Sequence, residues 1–267
     1  MKAKKFFVLV CAVLFTSCVV VFAVDSKKVV LKIAADAVPH TDIIEFIKPD
    51  LEKQGITIKL YVVVDATLVN AQTSDGELDA NYFQHVIYMD AQAKNKNLSL
   101  ANAGNIHVEP MSICSDKYKS ISDFPANAKI AICNDSANEY RGLKLLEKAG
   151  FIQLKKSITP AIASIRDIEK YIKPIKIVEL DPSLVTRVRD QFDAYIAWSN
   201  KVLEAGIDVN KARIFSEDAD SPYANIVAVS PKRLNDPAIK ALVNALKSDK
   251  VKKFIAGKYK GAVMPAK

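Results

Sequence analysis

Apolar runs of strand length alternate with helical patterns along most of this 267-residue chain. Parallel strands need crossover connections, usually helices, so the alternation predicts an α/β fold with parallel sheets. The pattern ends at Lys96 and begins again at Lys129, which predicts two lobes with a small sheet in each. The predicted strands are Val29–Ala34, Ile56–Val64, Leu78–Tyr82, Lys129–Cys133, Ile175–Leu180 and Asp193–Trp198.

Helical patterns fill the intervals between these strands. The first, Thr41–Gln54, has Asp42 and Glu45 at capping spacing and ends before Gly55, while Pro49 is expected to kink or split it. The other predicted helices are Ala66–Ser74, Gln84–Lys96, Ser136–Ala149 and Pro182–Gln191.

Two long extended segments, Leu98–Ser115 and Ala212–Ser230, bracket the second unit. The chain then ends in a helix that Asp236-Pro237 opens. If this helix packs on the first lobe, the chain crosses twice between the lobes, and the two crossover segments form a hinge over a ligand cleft. The apolar face of this helix consists of Ile239, Leu242, Val243 and Leu246.

The N-terminal segment has the layout of an export signal: basic Met1–Lys5, apolar Phe6–Phe15, and small residues leading to Cys18. Cleavage before Cys18 would leave a cysteine for acylation, and the acyl chains would anchor the protein to a membrane. Two alternatives stay open, plain secretory cleavage after Ala23 and an uncleaved membrane helix over Phe6–Val24. All three export the remaining chain.

The composition narrows the function classes. Half of the residues are hydrophobic and a quarter are charged, which is typical of a globular protein. The net charge of +8 includes lysines of the N-terminal segment, and no Lys/Arg-rich run accompanies it, so we predict no nucleic-acid partner. Cys114 and Cys133 stand in apolar strand-like runs, which favours buried free thiols over one disulfide.

The sequence lacks the common enzyme motifs. It has no GxSxG, HExxH, P-loop, GxGxxG or CxxC pattern, and its three histidines, His40, His85 and His107, show no metal-ligand spacing. A catalytic triad of Cys133, His85 and Asp135 is disfavoured, because no motif joins these three residues. We therefore predict no catalytic residue, metal or cofactor.

A first candidate binding segment is Asp79-Ala80-Asn81-Tyr82-Phe83-Gln84-His85, with Tyr88 one helical turn further on. It concentrates aromatic and polar groups where a strand passes into a helix, which is where ligands bind in open α/β sheets. The competing interpretation places Phe83 and Tyr88 in the core and makes His85 a helix cap.

A second candidate segment, Asn134–Arg141, also follows a strand and opens a helix, whose N-terminus favours anions. Arg141 is suited to bind a carboxylate with its guanidinium fork. Glu139 would face an ammonium group or, at capping-box spacing from Ser136, stabilise the helix. Together the two segments offer an anion site, a group that accepts a cation and a side-chain pocket, which are the features that an amino-acid zwitterion needs. An aromatic pocket suits a thioether side chain.

These motifs resemble those of the methionine-binding lipoproteins that serve ABC importers. The resemblance is carried by DANYFQH at 79–85 with Tyr88, NDxxNxxR at 134–141, SPYxN at 221–225 and Pro39-His40. It implies a two-lobed, type II periplasmic-binding-protein-like fold that acts as a monomer, binds L-methionine between its lobes and hands it to a permease driven by an ATPase. The implied division is 1–25 as signal and anchor, 26–112 plus 226–267 as lobe 1, and 113–225 as lobe 2.

The resemblance also implies site residues. Tyr82, Phe83, His85 and Tyr88 would line the side-chain pocket, Asn138 and Arg141 would hold the ligand's backbone groups, and Asn225 would reach in from the second crossing segment. Three departures affect ligand identity: Trp198 stands where the family commonly has Asn, Ala66 replaces an aromatic residue, and Glu139-Tyr140 replaces small or apolar residues. Another amino acid, a short peptide, or a structural or adhesive role therefore stays open.

Overall fold

The computed structural model describes residues 28–63, 65–159, 162–218 and 221–267. The predicted export signal, including Cys18, lies outside these residues. Among the residues described, no helix combines the length and the hydropathy that crossing a bilayer requires.

Most predicted strands and helices form close to their predicted positions, because β-branched and aliphatic residues favour buried strands and amphipathic patterns favour helices. In chain order the strands are β1 (Val29–Ala35), β2 (Ile56–Val62), β3 (Ala80–His85), β4 (Ala101–Val108), β5 (Met111–Cys114), β6 (Ala128–Cys133), β7 (Ile152–Leu154), β8 (Ile168–Tyr171), β9 (Ile175–Leu180), β10 (Ala194–Trp198), β11 (Arg213–Ser216), β12 (Ala224–Val229) and β13 (Met264–Pro265). The α-helices are α1 (His40–Glu52), α2 (Ala66–Asp75), α3 (Val86–Lys96), α4 (Ser136–Lys148), α5 (Ser199–Glu204), α6 (Val209–Ala212), α7 (Pro237–Leu246) and α8 (Asp249–Tyr259).

The first lobe is built on a mixed sheet in the order β13-β4-β12-β3-β1-β2. Strands β1, β2 and β3 run parallel, and α1 and α2 are the helices that connect them, as the alternation predicts. Strand β12 lies antiparallel between β3 and β4, so a strand from late in the chain enters the centre of the first sheet.

The second lobe is built on a sheet in the order β11-β5-β10-β6-β9. Strand β6 pairs in parallel with β9 and β10, and β5 pairs antiparallel with β10 and β11. The hairpin of β7 and β8 adds Ile152 and Leu154 to the apolar cluster beneath α4. Two sheets joined by crossing segments confirm the predicted α/β, two-lobed fold class.

The chain changes sheet between Val108 and Met111, and again between Ser216 and Ala224. The segments predicted as extended connectors therefore contain strands of both sheets. The changes fall close to the predicted boundaries at 112 and 225, and the division into lobes at those residues stays a prediction.

The C-terminal helix α7 packs on α1 and β4 and returns the chain to the first lobe, as predicted. Its apolar face, including Leu242 and Leu246, is buried. The approach to β4 is close, because a Cβ atom at Gly104 would lie 2.6 Å from Val243 Cγ1.

Three local predictions differ from the structure. Helix α1 runs through Pro49 without being split. The predicted helix Pro182–Gln191 is wrong: the Asp181 carboxylate accepts the Ser183 N–H and hydroxyl, which favours a turn, and only Arg189–Gln191 forms a short 3-10 helix. Helix α8 was not predicted, and Ser248 caps it by accepting the Val251 N–H.

Cys114 and Cys133 are both buried and free, which confirms the thiol interpretation. Burial raises the pKa of both thiols, that of Cys114 to about 12, so neither is primed as a nucleophile.

Candidate functional site

The two lobes meet where strands of both sheets end and the chain crosses between them. Two sets of polar contacts join the lobes there. Asp36, which follows β1, accepts hydrogen bonds from Asn200 Nδ2 and Lys201 Nζ of α5, at 3.1 and 3.0 Å. His85, at the end of β3, contacts Asn138 of α4. The residues predicted from both strand-to-helix junctions therefore lie along one junction between the lobes.

The first turn of α4 is organised by Asp135. Its carboxylate accepts the backbone N–H and the side-chain amide of Asn138, so Asp135 is the cap and the capping box predicted for Ser136 and Glu139 is wrong. Glu139 instead accepts the Ile165 N–H at 2.8 Å. Burial and the neighbouring Glu179 carboxyl raise the pKa of Glu139.

The Arg141 guanidinium is the most tightly held charge of the site. Its Nε and Nη2 atoms donate to the two oxygens of Glu217, at 2.7 and 2.6 Å, and Nη2 also donates to the Glu109 carbonyl at 2.8 Å. The Tyr223 ring lies 4.3 Å from its central carbon. Among the described residues these are its hydrogen-bond partners, which leaves the Nη1 group for a ligand.

Arg141 also borders a cavity of about 400 Å³ that opens beside α4. Glu217 and Tyr223 line it as well, together with Lys144 and Lys148. The Arg141 side chain is 3% exposed, and the cavity beside it lies along α4 and the second crossing segment.

The hydrogen bonds of His85 define its tautomer. Its Nδ1 accepts the Tyr88 N–H, so its Nε2 carries the proton and donates to Asn138 Oδ1 at 3.1 Å. Burial, and then the nearby Arg141, lower the pKa of His85 to about 3. His85 is therefore both the helix cap of α3 and a neutral link between the lobes.

Aromatic rings surround this link. The Tyr223 ring lies 5.0 Å from the His85 ring, and the Tyr88 ring lies 6.3 Å from His85 and 6.4 Å from Phe83, all edge-on. Burial raises the pKa of both tyrosine hydroxyls to about 12, so both stay neutral donors.

Tyr82 and Phe83 have different surroundings, and Phe83 is the extra residue of a β-bulge where β3 pairs with β12. Phe83 packs on a small cluster that includes Val69 and Leu78, whereas Tyr82 is fully buried beneath His40 and His107. The structure therefore places Phe83 with His85 and Tyr88 and separates Tyr82 from them.

A buried polar network lies beneath the junction. The Tyr82 hydroxyl bonds His107 Nδ1, and His107 Nε2 lies 2.9 Å from Glu109. His40 Nε2 donates to Asn225 Oδ1 at 3.2 Å and lies 3.6 Å from Glu109. Burial raises the pKa of Glu109 to about 7. Asn225, predicted to reach the ligand, thus has one bond within this network.

His40, His107 and Glu109 also offer ligating atoms within 4.8 Å of one another, a donor set that could hold a metal ion. Each side chain already makes a hydrogen bond, with only His40 Nδ1 left buried without a partner among the described residues, and the Arg141 guanidinium is bound to the Glu109 carbonyl. A further cation there would be repelled by Arg141, so we treat the three residues as a hydrogen-bonded network.

Trp198 is the last residue of β10 and pairs with Met111 of β5. It is half-buried and directly precedes α5, whose Asn200 and Lys201 contact Asp36 of the first lobe, so it lies next to the junction.

The sequence identified Arg141, Asn138 and His85, but not two partners of Arg141, Glu109 and Glu217, which come from the crossing segments. Tyr223 was noted only as part of the SPYxN motif, and the pair of Asp36 and Asn200 was not predicted. The sequence signal for Asp36 and Asn200 was their position just after a predicted strand.

Two lobes joined by two crossing segments, with polar and aromatic side chains where they meet, define the class of two-lobed substrate-binding proteins. Residues 31–267 match the family model described as NlpA lipoprotein, and the chain belongs to that family. It is 36% identical to the methionine-binding lipoprotein MetQ of Bacillus subtilis, over 90% of this chain and 89% of that protein.

The chain is also similar to solved structures of substrate-binding proteins. A nutrient-binding protein of Burkholderia cenocepacia, bound to methionine, has 35% identity and a TM-score of 0.84 over 89% of this chain and all of that one (100%). An ABC transporter periplasmic substrate-binding protein of Coxiella burnetii has 34% identity and a TM-score of 0.83 over 88% of this chain and 100% of that one.

Proposed function

We propose that this chain is a lipid-anchored, extracytoplasmic receptor that binds L-methionine and delivers it to an ABC importer. The observation that carries the proposal is the Nη1 group of Arg141, a buried cationic donor left beside an aromatic set. A ligand carboxylate supplies the acceptor that this donor needs.

The remaining chemistry of the site fits the same ligand. Tyr88, Tyr223 and the edge of His85 offer rings to a thioether, whose contacts with aromatic rings contribute roughly 0.3–1.5 kcal/mol. His85 and Asn138 bridge the lobes beside Arg141, so a ligand held there contacts both lobes, which couples binding to closure.

The named relatives support the assignment of partners. One is a methionine-binding lipoprotein, one is bound to methionine, and one is an ABC transporter substrate-binding protein. The partners of this chain are accordingly a permease and its ATPase, with the receptor acting as a monomer.

Calorimetry on the exported body, refolded to remove carried-over ligand, tests this function. L-methionine should bind saturably, and Arg141→Ala should weaken binding by at least roughly 100-fold, because a buried partner of a carboxylate is lost. Arg189→Ala is the matched control, since Arg189 pairs with Asp116 at the surface. Circular dichroism verifies that both variants fold.

A different amino acid or a short peptide is the second candidate, favoured by the bulk of Trp198 at the lobe junction. Titration of D-methionine and a panel of other amino acids and dipeptides separates the two. Heat from another ligand and none from methionine would refute the methionine assignment. Absence of binding by any of them would leave a structural or adhesive lipoprotein.

A further inference from the structure

We propose that Asn200, held by Asp36, is the acceptor for the ammonium group of the bound amino acid. The inference rests on the proposed function in one respect, that the ligand is an α-amino acid. It assigns the ammonium position of the site, next to the Arg141 carboxylate anchor.

The side chain of Asn200 is buried and only half satisfied. The residue is 1% exposed, and its Nδ2 donates to Asp36 Oδ2 at 3.1 Å. Its Oδ1 is buried without a hydrogen-bond partner among the described residues. A buried acceptor without a donor is unfavourable, and native structures rarely retain one without a reason.

The orientation of this amide follows from its neighbour. A carboxylate only accepts hydrogen bonds, so the NH₂ group must face Asp36 and the oxygen must face away. Rotating the amide would place oxygen against oxygen. The unsatisfied atom is therefore an acceptor, and what it lacks is a donor such as an ammonium group.

Asn200 also lies close to the carboxylate end of the site. Ser199 Oγ donates to the Pro110 carbonyl at 3.2 Å, while Arg141 Nη2 donates to the carbonyl of the preceding residue, Glu109. The helix that carries Asn200 and the guanidinium of Arg141 thus rest on consecutive peptide groups of the first crossing segment.

The charges around Asn200 suit a cation. The Asp36 carboxylate accepts from both Asn200 and Lys201, and Glu204 is the second carboxylate bonded to Lys201. Asp36 and Glu204 carry two negative charges, and Lys201 carries one positive charge. An ammonium donor at Asn200 Oδ1 would therefore have net negative surroundings.

The test compares two ligands that differ in one group. L-methionine carries the ammonium, and 4-(methylthio)butanoate has the same thioether and carboxylate without it. In Asn200→Ala we expect the methionine Kd to rise roughly 10-fold or more, and the Kd of the des-amino acid to change by less than about twofold.

The matched control is Asn210→Ala, which removes an exposed amide bound to Arg213 on the same lobe and should change neither Kd. Asn200→Leu, which retains side-chain volume, repeats the comparison if the alanine variant does not fold.

An equal loss of affinity for both ligands would show that Asn200 acts through lobe packing and would overturn the inference. Unchanged affinity for methionine would overturn it as well. Failure of the wild type to bind methionine is a separate result that refutes the methionine assignment. The comparison is then made with the amino acid that does bind and its des-amino analogue, with the same two overturning outcomes.

Discussion

His85 stays neutral in the folded protein, and this makes the free energy of unfolding depend on pH. Burial, and then Arg141, lower its pKa to about 3 from the ordinary value of 6.5. Below about pH 6.5 the unfolded chain binds a proton at this position, whereas the folded chain does not until about pH 3. The stability contributed by His85 is thus fully present above pH 6.5 and is lost as the pH falls towards 3.

We expect His85→Gln to remove this dependence, because the Gln amide can accept the Tyr88 N–H and donate to Asn138 without titrating. Urea unfolding of both proteins between about pH 7.5 and 4 should show the wild type losing up to ~1.4 kcal/mol per pH unit relative to the variant. His40 and His107 are present in both proteins, so their titration cancels in the difference. Parallel stability curves would contradict a neutral, buried His85.

At the same scale, the sequence predicted some site residues and could not predict others. Arg141, Asn138 and His85 stand in motifs directly after predicted strands, where parallel sheets collect ligand-binding groups. Glu217 lies in a crossing segment without periodicity, so nothing in the sequence placed its carboxylate on the fork of Arg141. In the proposed function, a ligand carboxylate would therefore meet the Nη1 group, because Glu217 already occupies the Nε and Nη2 edge.

At the scale of elements, strongly amphipathic patterns predicted helices correctly, whereas a weaker pattern lost to a local turn. Helix α7 formed as predicted because its apolar face matches one helical stripe. The region 182–191 also begins with proline and has Leu184 and Val188 at helical spacing, but the Asp181 side chain bonds to Ser183 and replaces the first helical turn. Competition between a side chain and the backbone is local geometry, which hydropathy does not record.

Helix α4 carries both Asn138 and Arg141, and Gly142 controls how closely it approaches the second sheet. A Cβ atom at Gly142 would lie 2.7 Å from Ile132 Cδ1 and 3.4 Å from Ile196 Cγ2. We expect Gly142→Ala to destabilise the fold by about 1–3 kcal/mol in urea unfolding, because the buried Ile132 side chain must leave its position or α4 must move away from the sheet. The shift displaces the guanidinium, so methionine affinity should fall in calorimetry.

The control for this substitution is Gly257→Ala in α8. A Cβ atom there has no neighbour within 4 Å, so the better helix propensity of alanine should stabilise the protein by up to about 1 kcal/mol. Wild-type stability and affinity in Gly142→Ala would mean that α4 is not held by this contact.

At the scale of the whole molecule, the junction between the lobes contains both the chain crossings and the polar contacts that join the lobes. The chain crosses between the sheets twice, and Asp36–Lys201 and His85–Asn138 join the same two lobes. A ligand bound there adds contacts to both lobes and favours the state in which these bonds are formed. The two-lobed fold was predictable from the alternation of strands and helices, whereas the pairs across the junction depend on how the lobes meet.

The remaining whole-molecule question is whether Cys18 carries a lipid anchor. The family is one of lipoproteins, and Cys18 follows an apolar stretch and small residues, the layout of a lipoprotein signal. Each buried methylene of an acyl chain contributes ~0.8 kcal/mol, so one cysteine bearing several chains is enough for stable attachment.

Substituting Cys18 separates lipid anchoring from the alternatives. Cys18→Ser should move the protein from the membrane fraction to the soluble fraction, because serine provides no thiol for acylation. Cys11→Ser, within the apolar stretch of the same signal, should leave the protein on the membrane. An uncleaved helix over Phe6–Val24 predicts membrane attachment in both variants, and secretory cleavage after Ala23 predicts soluble protein even in the wild type. Fractionation with an antibody to the body therefore distinguishes all three arrangements.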